Sequence, residues 1–258
     1  MIKTLVAALA LGTALGAATI AAAETVKVGI SAEPYPPFYA PDASGTWSGW
    51  EIDFTNELCT RLSLECEITP VAWEGIIPAL TTGKIDMIIG SMNITPERAK
   101  MIDFSEKYYN TPSALIGAKG IEMTPTAESL AGKYIGVQGA TPQKDYAEAY
   151  FGDSAAEVKE YQTLDEALQD LSAGRLDAIF ADSMPLYDFL KTDAGMACCE
   201  AKGVAADDPA ILGTGVGVGL RQGDPLRDKI NAAILAMRED GSYQAFSAKY
   251  FDFDVYGG

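Results

Sequence analysis

Arg98 and Asp182 are the residues from which a binding chemistry can be read. Arg98 ends the run Ser91-Met92-Asn93-Ile94-Thr95-Pro96-Glu97-Arg98. Thr95 can cap a helix and Pro96 can open it, which predicts Arg98 in the first helical turn. A cation there opposes the helix dipole and does little for stability. It suits an incoming carboxylate, which gains a bidentate fork beside free backbone N–H groups. The plain alternative is an exposed arginine paired with Glu97 or Asp103. Asp182 supplies the opposite charge. One cation and one anion across a cleft suit an α-amino acid, with Arg98 for the carboxylate and Asp182 for the ammonium. A salt bridge between the two is the competing reading. Tyr35 stands in a proline-stiffened loop, Glu33-Pro34-Tyr35-Pro36-Pro37-Phe38, and Trp73 precedes a helix. The two rings could clamp an aliphatic, planar or cationic side chain, or be plain core. Thr141-Pro142-Gln143 opens another helix, with Thr141 as its cap.

Other chemistries are excluded by composition. The 258 residues contain no histidine, so a Ser-His-Asp triad, a Cys-His dyad and any His-containing metal site are ruled out. Acidic residues outnumber basic ones by 36 to 19, for a net charge of −17. Nucleic acid and anionic membrane surfaces are therefore poor partners. Four cysteines are present, Cys59, Cys66, Cys198 and Cys199. No CxxC spacing suggests a metal site, and neither metal nor cofactor is expected. Cys59 and Cys66 could close a small loop. The adjacent Cys198 and Cys199 could form a vicinal disulfide or stay as two buried thiols.

The elements that position these residues alternate between strand and helix, which argues for α/β architecture with mainly parallel sheets. Residues 1–23 read as a secretory signal peptide, with Lys3 at its start, an uncharged stretch from Leu5 to Ile20, and Ala21-Ala22-Ala23 for cleavage. Strands are expected at Val26–Ile30, Ile85–Ile89 and Leu176–Phe180, and helices at Ile52–Leu62, after the Thr163–Glu166 capping box, and after Asp224-Pro225. One segment occurs twice. Leu80-Thr81-Thr82-Gly83-Lys84-Ile85-Asp86 and its sequel to Ser91 match Leu171-Ser172-Ala173-Gly174-Arg175-Leu176-Asp177 and its sequel to Asp182. In each copy the residue eight after the glycine falls at a strand's carboxyl end, where open α/β sheets bind ligands. The repeat predicts two similar domains that offer Ser91 and Asp182 to one shared cleft.

Several segments together resemble the periplasmic solute-binding proteins of polar amino-acid ABC importers, above all the lysine/arginine/ornithine- and histidine-binding group. They include Tyr35-Pro36-Pro37-Phe38, Gly49-Trp50-Glu51-Ile52-Asp53, Asn56-Glu57-Leu58-Cys59 with Cys66, Ser91 to Arg98, Ala173-Gly174-Arg175-Leu176-Asp177, and the ending Lys249-Tyr250-Phe251-Asp252-Phe253-Asp254-Val255-Tyr256-Gly257. The resemblance implies a type II fold of two lobes that close on ligand. Lobe one would comprise residues 24–110 and 208–258, and lobe two residues 111–207. Crossovers would lie near Tyr109–Ser113 and Ala206–Gly213. It implies a Cys59–Cys66 disulfide, no metal or cofactor, and delivery of the ligand to an inner-membrane permease by a monomeric periplasmic carrier. By this likeness Arg98 grips the α-carboxylate and Asp182 the α-amino group. Gly90, Ser91 and Asn93 add contacts, Tyr35 and Trp73 sandwich the side chain, and Thr141 and Gln143 contribute from lobe two. Ser31 stands where the family often has aspartate, so a preference for Lys, Arg or ornithine would rest on Glu33, Glu51 and the aromatic pair. Glutamine, histidine or an opine-like conjugate are alternative ligands. Some relatives on this fold resemble cyclohexadienyl dehydratases, for which Glu33 or Glu51 would be the general acid.

Overall fold

The computed structural model describes residues 25–257; the expected signal peptide lies outside them. The chain begins with β1 (Thr25–Ser31), the short strands β2 (Ala40–Pro41) and β3 (Trp47–Ser48), α1 (Trp50–Leu62), β4 (Glu65–Val71), α2 (Ile76–Thr81), β5 (Met87–Ile88) and β6 (Asp103–Tyr109). It continues with β7 (Ser113–Ala118), β8 (Tyr134–Gln138), α3 (Pro142–Phe151), β9 (Glu157–Tyr161), α4 (Leu164–Ser172), β10 (Ala178–Asp182), α5 (Ser183–Phe189), α6 (Asp193–Cys198) and β11 (Cys199–Val204). It ends with β12 (Val216–Leu220), α7 (Leu226–Glu239) and α8 (Ser242–Ser247).

Two five-stranded sheets carry the two lobes, in the orders β4-β1-β5-β12-β6 and β11-β7-β10-β8-β9. The chain leaves the first sheet after Tyr109, enters the second at Ser113, and returns between Val204 and Val216. The sheets are mixed rather than mainly parallel. In the first, β1 pairs parallel with β4 and β5, while β12 runs antiparallel to β5 and β6. In the second, β8 pairs parallel with β9 and β10, while β7 runs antiparallel to β10 and β11. The two strands entered from a crossover, β7 and β12, are the ones that run against their neighbours on both sides.

The repeated segment does the same work in both lobes. Gly83 and Gly174 take φ of 73° and 70° and end their helices. The Asp86 carboxylate then accepts the Lys27 N–H at 3.0 Å, and the Asp177 carboxylate accepts the Tyr134 N–H at 2.8 Å. Each aspartate thus ties the start of its strand to the neighbouring parallel strand. The Thr163–Glu166 capping box is formed with both of its bonds. Asp224 accepts the Leu226 N–H at 2.9 Å, as an N-cap does. The helix expected from Ile52 starts two residues earlier, at Trp50. The helix expected after Pro96 is only a 3₁₀ turn, Arg98–Lys100. Thr95 still caps it, accepting the Arg98 N–H at 3.2 Å.

Trp50 lies at the centre of the first lobe's core and is fully buried. It stacks on Phe54 and Tyr108 and meets Tyr109 and Tyr243 edge-on. Its indole N–H donates to Ser247 Oγ at 2.9 Å, which binds the C-terminal α8 to α1. Cys59 and Cys66 are joined, fastening α1 to β4, and Cys198 is joined to Cys199.

Replacing Trp50 with alanine should cost about 3–5 kcal/mol, the usual figure for a buried tryptophan. Urea unfolding of the purified protein measures it, and a loss below about 1 kcal/mol would show that the cluster is not central to the lobe.

Candidate functional site

The site begins at the loop after β1. Gly49 takes φ of 135°, and a Cβ there would lie 2.3 Å from the Phe38 carbonyl oxygen. This close approach seats the proline-rich loop on the start of α1, where the Trp50 and Glu51 N–H groups donate to the Pro37 and Phe38 carbonyls at 3.0 and 2.9 Å. Tyr35 is fixed in turn by its N–H bond to the Tyr39 carbonyl at 2.7 Å. Its ring stacks with Phe38 and Tyr39.

A small cavity separates the two lobes here, with about 30 Å³ of free space, room for roughly two waters. Glu33, Tyr35, Trp73, Gly90, Ser91 and Asn93 line it from the first lobe, and Thr141 and Gln143 from the second. Eight of the eleven residues singled out from sequence therefore meet around one space. The other three, Glu51, Arg98 and Asp182, do not line it. The lobes are in contact beside it: the Ala140 carbonyl accepts the Trp73 indole N–H at 3.3 Å and an Arg98 guanidinium N–H at 3.0 Å.

Arg98 is buried, and its second terminal nitrogen donates to the Asn93 carbonyl at 3.1 Å. Its guanidinium lies 5.3 Å from the centre of the Trp73 ring. Among the described residues no carboxylate forms an ion pair with it, so neither the Glu97 nor the Asp103 pairing occurs. Burial lowers its pKa to about 10, partly offset by Asp145, and it stays charged at neutral pH.

Asp182 is equally buried. It accepts the Thr111 hydroxyl at 2.9 and 2.8 Å on its two oxygens, and the Met184 N–H at 3.1 Å. No cation pairs with it among the described residues, which also sets aside a salt bridge to Arg98. Burial raises its pKa to about 7 against the opposing effect of those bonds. The hydroxyls of Tyr109 and of Ser183, next to Asp182 in sequence, are buried without a hydrogen-bond partner among the described residues.

Glu51 has a different place from the one its charge suggested. It is wholly buried beneath the floor of the cavity. Its carboxylate accepts the Ser91 N–H at 2.7 Å, the Ser91 hydroxyl at 3.0 Å and the Tyr108 hydroxyl. Burial raises its pKa to about 7, and Asp182 adds a smaller push the same way. Glu33 stays at the cavity wall, where it accepts the Ser31 hydroxyl. Gln143 donates to Ser113 Oγ at 3.1 Å, and Thr141 caps α3 by accepting the Lys144 N–H at 3.2 Å.

Sequence reasoning passed over Tyr39, Gln138, Leu164 and Asp165 as cavity residues. Asp165 lay in plain view inside the capping box. Its position in the first turn of α4 signals only helix chemistry until the two lobes are brought together. Thr111, which holds Asp182, stands in a crossover and carries no local signal.

Residues 26–253 match the model of the bacterial extracellular solute-binding proteins, family 3. The chain is 42% identical to the L-arginine-binding protein of Pseudomonas aeruginosa over 255 residues, covering 98% of this chain and 97% of that one. It is 39% identical to the histidine-binding periplasmic protein of Salmonella typhimurium over 260 residues, covering 99% and 100%. Among solved structures, an ancestral arginine-binding protein bound to arginine superposes with a TM-score of 0.79 at 33% identity, covering 88% of this chain and 98% of that one. The chain belongs to the family 3 solute-binding proteins and has their two-lobed fold.

The two buried acids set a pH dependence. Asp182 and Glu51 titrate near pH 7 when folded and near pH 4 when unfolded. Between those values the folded state holds more protons, so stability is greatest at the acid end and falls as pH rises through the window. Asp182→Asn, which can still cap α5, should flatten part of that fall. Urea midpoints at pH 4.5, 6 and 7.5 measure it, and identical slopes in both proteins would mean that Asp182 does not titrate there.

Proposed function

We propose that the protein captures a cationic L-amino acid, arginine, lysine or ornithine, between its lobes and delivers it to an ABC importer of the inner membrane. The observation that carries this reading is a pair of buried opposite charges, Arg98 and Asp182, that have no charged partner among the described residues. An α-amino acid supplies both missing partners at once. The ligand side chain would lie between Tyr35 and Trp73. Its cationic end is favoured by Glu33 and Asp165, and the cavity wall carries no lysine or arginine. The arginine-binding names of one relative and one solved neighbour agree with this chemistry. Histidine, glutamine or an opine-like conjugate would make less use of the two acids.

Lobe one is taken as residues 24–110 and 208–258, and lobe two as residues 111–207. Contacts made from both lobes stabilise only the closed form, so ligand shifts the population toward it. Residues 1–23 would direct export to the periplasm. A dehydratase would need a proton donor at the ligand. Of the two glutamates considered for it, Glu51 is occupied with Ser91 and Tyr108 under the floor, which favours the carrier.

Ligand-free, refolded protein should respond to a panel of L-amino acids in a thermal-shift assay. A micromolar ligand at millimolar concentration adds about 4 kcal/mol, a rise of roughly 8–16 °C. The rise should be confined to arginine, lysine and ornithine. A flat panel, or formation of phenylalanine from arogenate, would overturn the proposal. Calorimetry should find affinity at least about 100-fold weaker in Arg98→Ala and in Asp182→Ala, because each leaves a ligand charge desolvated without its partner.

A further inference from the structure

We propose that Glu51 is a positioning residue that fixes the hydrogen-bonding sense of Ser91 and so makes this point of the cleft select the ammonium end of the ligand. The inference rests on the carrier reading and goes one layer beneath it. Ser91 has φ of 57°, a left-handed conformation that non-glycine residues adopt only when their surroundings hold them there. Gly90 just before it runs so close to β1 that a Cβ would lie 3.2 Å from Ile30 Cα. The carboxylate of Glu51 holds Ser91 twice, through the N–H at 2.7 Å and the hydroxyl at 3.0 Å. Tyr108 donates to the same carboxylate and keeps it from turning away.

At pH 8, above the pKa of about 7 to which burial raises it, Glu51 is mainly ionised, and an ionised carboxylate only accepts hydrogen bonds. The Ser91 hydroxyl must therefore spend its single hydrogen on Glu51. What it can offer a ligand in the adjoining cavity is an oxygen lone pair. An ammonium, which only donates, is matched to that oxygen; a carboxylate, which only accepts, is refused. Asp182 imposes the same preference from the other lobe, and its charge is felt at Glu51. The 90–91 loop thereby sets which end of the amino acid lies where.

The test compares L-arginine with 5-guanidinopentanoic acid, which lacks only the α-amino group, by calorimetry at pH 8. In Glu51→Gln the amide oxygen can keep the Ser91 N–H and Tyr108 bonds while its NH₂ donates to Ser91 Oγ, which reverses that bond. The preference for arginine over the deaminated acid should fall about tenfold or more. Ser91→Ala should lower it by a similar factor, and Glu51→Gln should add nothing further in the Ser91→Ala background. If Glu51→Gln still lowers the preference when residue 91 is alanine, the glutamate acts through its charge alone and the inference is overturned. Equal weakening of both ligands, with a lower Tm, would mark Glu51 as merely structural and overturn it as well. Should Glu51→Gln not fold, Ser91→Ala decides: an unchanged preference refutes the inference and a loss supports it. Failure of the wild type to bind arginine would bring down the carrier reading, and this one with it, whereas failure of the variants alone would bring down only this one.

Discussion

Two charges buried without a counter-charge are the constraint on which this molecule turns. A guanidinium and a carboxylate taken out of water are expensive unless each finds an opposite charge or good hydrogen bonds. Arg98 has backbone carbonyls of Asn93 and Ala140, and Asp182 has Thr111 and the Met184 N–H. Those bonds hold each group in position, and they leave its charge uncompensated. A fold selected for stability alone would have paired them or replaced them with apolar residues. On the proposed function, a zwitterion held between the lobes would complete both.

The scaffold delivers those charges through ordinary grammar used twice. In each lobe a helix ends at a left-handed glycine, an aspartate clips the following strand to its parallel neighbour, and that strand ends at the cleft. The first copy ends at Ser91 and the second at Asp182. Where the lobes differ, the site gains its polarity. Ser91 is held in a left-handed turn by a carboxylate from α1, whereas Asp182 caps α5 and is braced by Thr111 of the crossover. Ser91 is thus fastened at the end of one sheet, and Asp182 both at the end of the other and to the crossover through Thr111. On the proposed function, that geometry would couple ligand contacts to lobe closure.

Aromatic packing supplies the rigidity. Trp50 unites α1, β6 and α8 in one cluster, and the proline loop that carries Tyr35 is seated on the first residues of that same helix. Tyr108 belongs to the cluster through its ring and to the Glu51 network through its hydroxyl. Core and site therefore share residues, and the orientation of Ser91 is set by the same helix that the core fixes.

The sequence by itself determined the class of fold, the repeat, and most of the cavity wall. Local signals suffice for these: a capping box, a glycine after a helix, a proline-stiffened loop and a strand's carboxyl end are each written within a few residues. Charge and ring chemistry joined Arg98, Asp182, Tyr35 and Trp73 into one hypothesis, and the family likeness gave each its role. Only the tertiary structure decided the rest. The strands entered from the crossovers, β7 and β12, run against their neighbours, which no local pattern encodes. The helix expected at Pro96 is a single 3₁₀ turn, and the Arg98 side chain there donates to the distant Ala140 carbonyl as well as to that of Asn93. Glu51, which charge alone placed beside the ligand, lies under the floor because α1 turns it toward Ser91 and Tyr108. Asp165, which helix capping alone explained, faces the cavity because α4 comes from the other lobe. Glu51, Arg98 and Asp182 each have partners 40 to 71 positions away, and that distance in sequence is what local reading cannot cross.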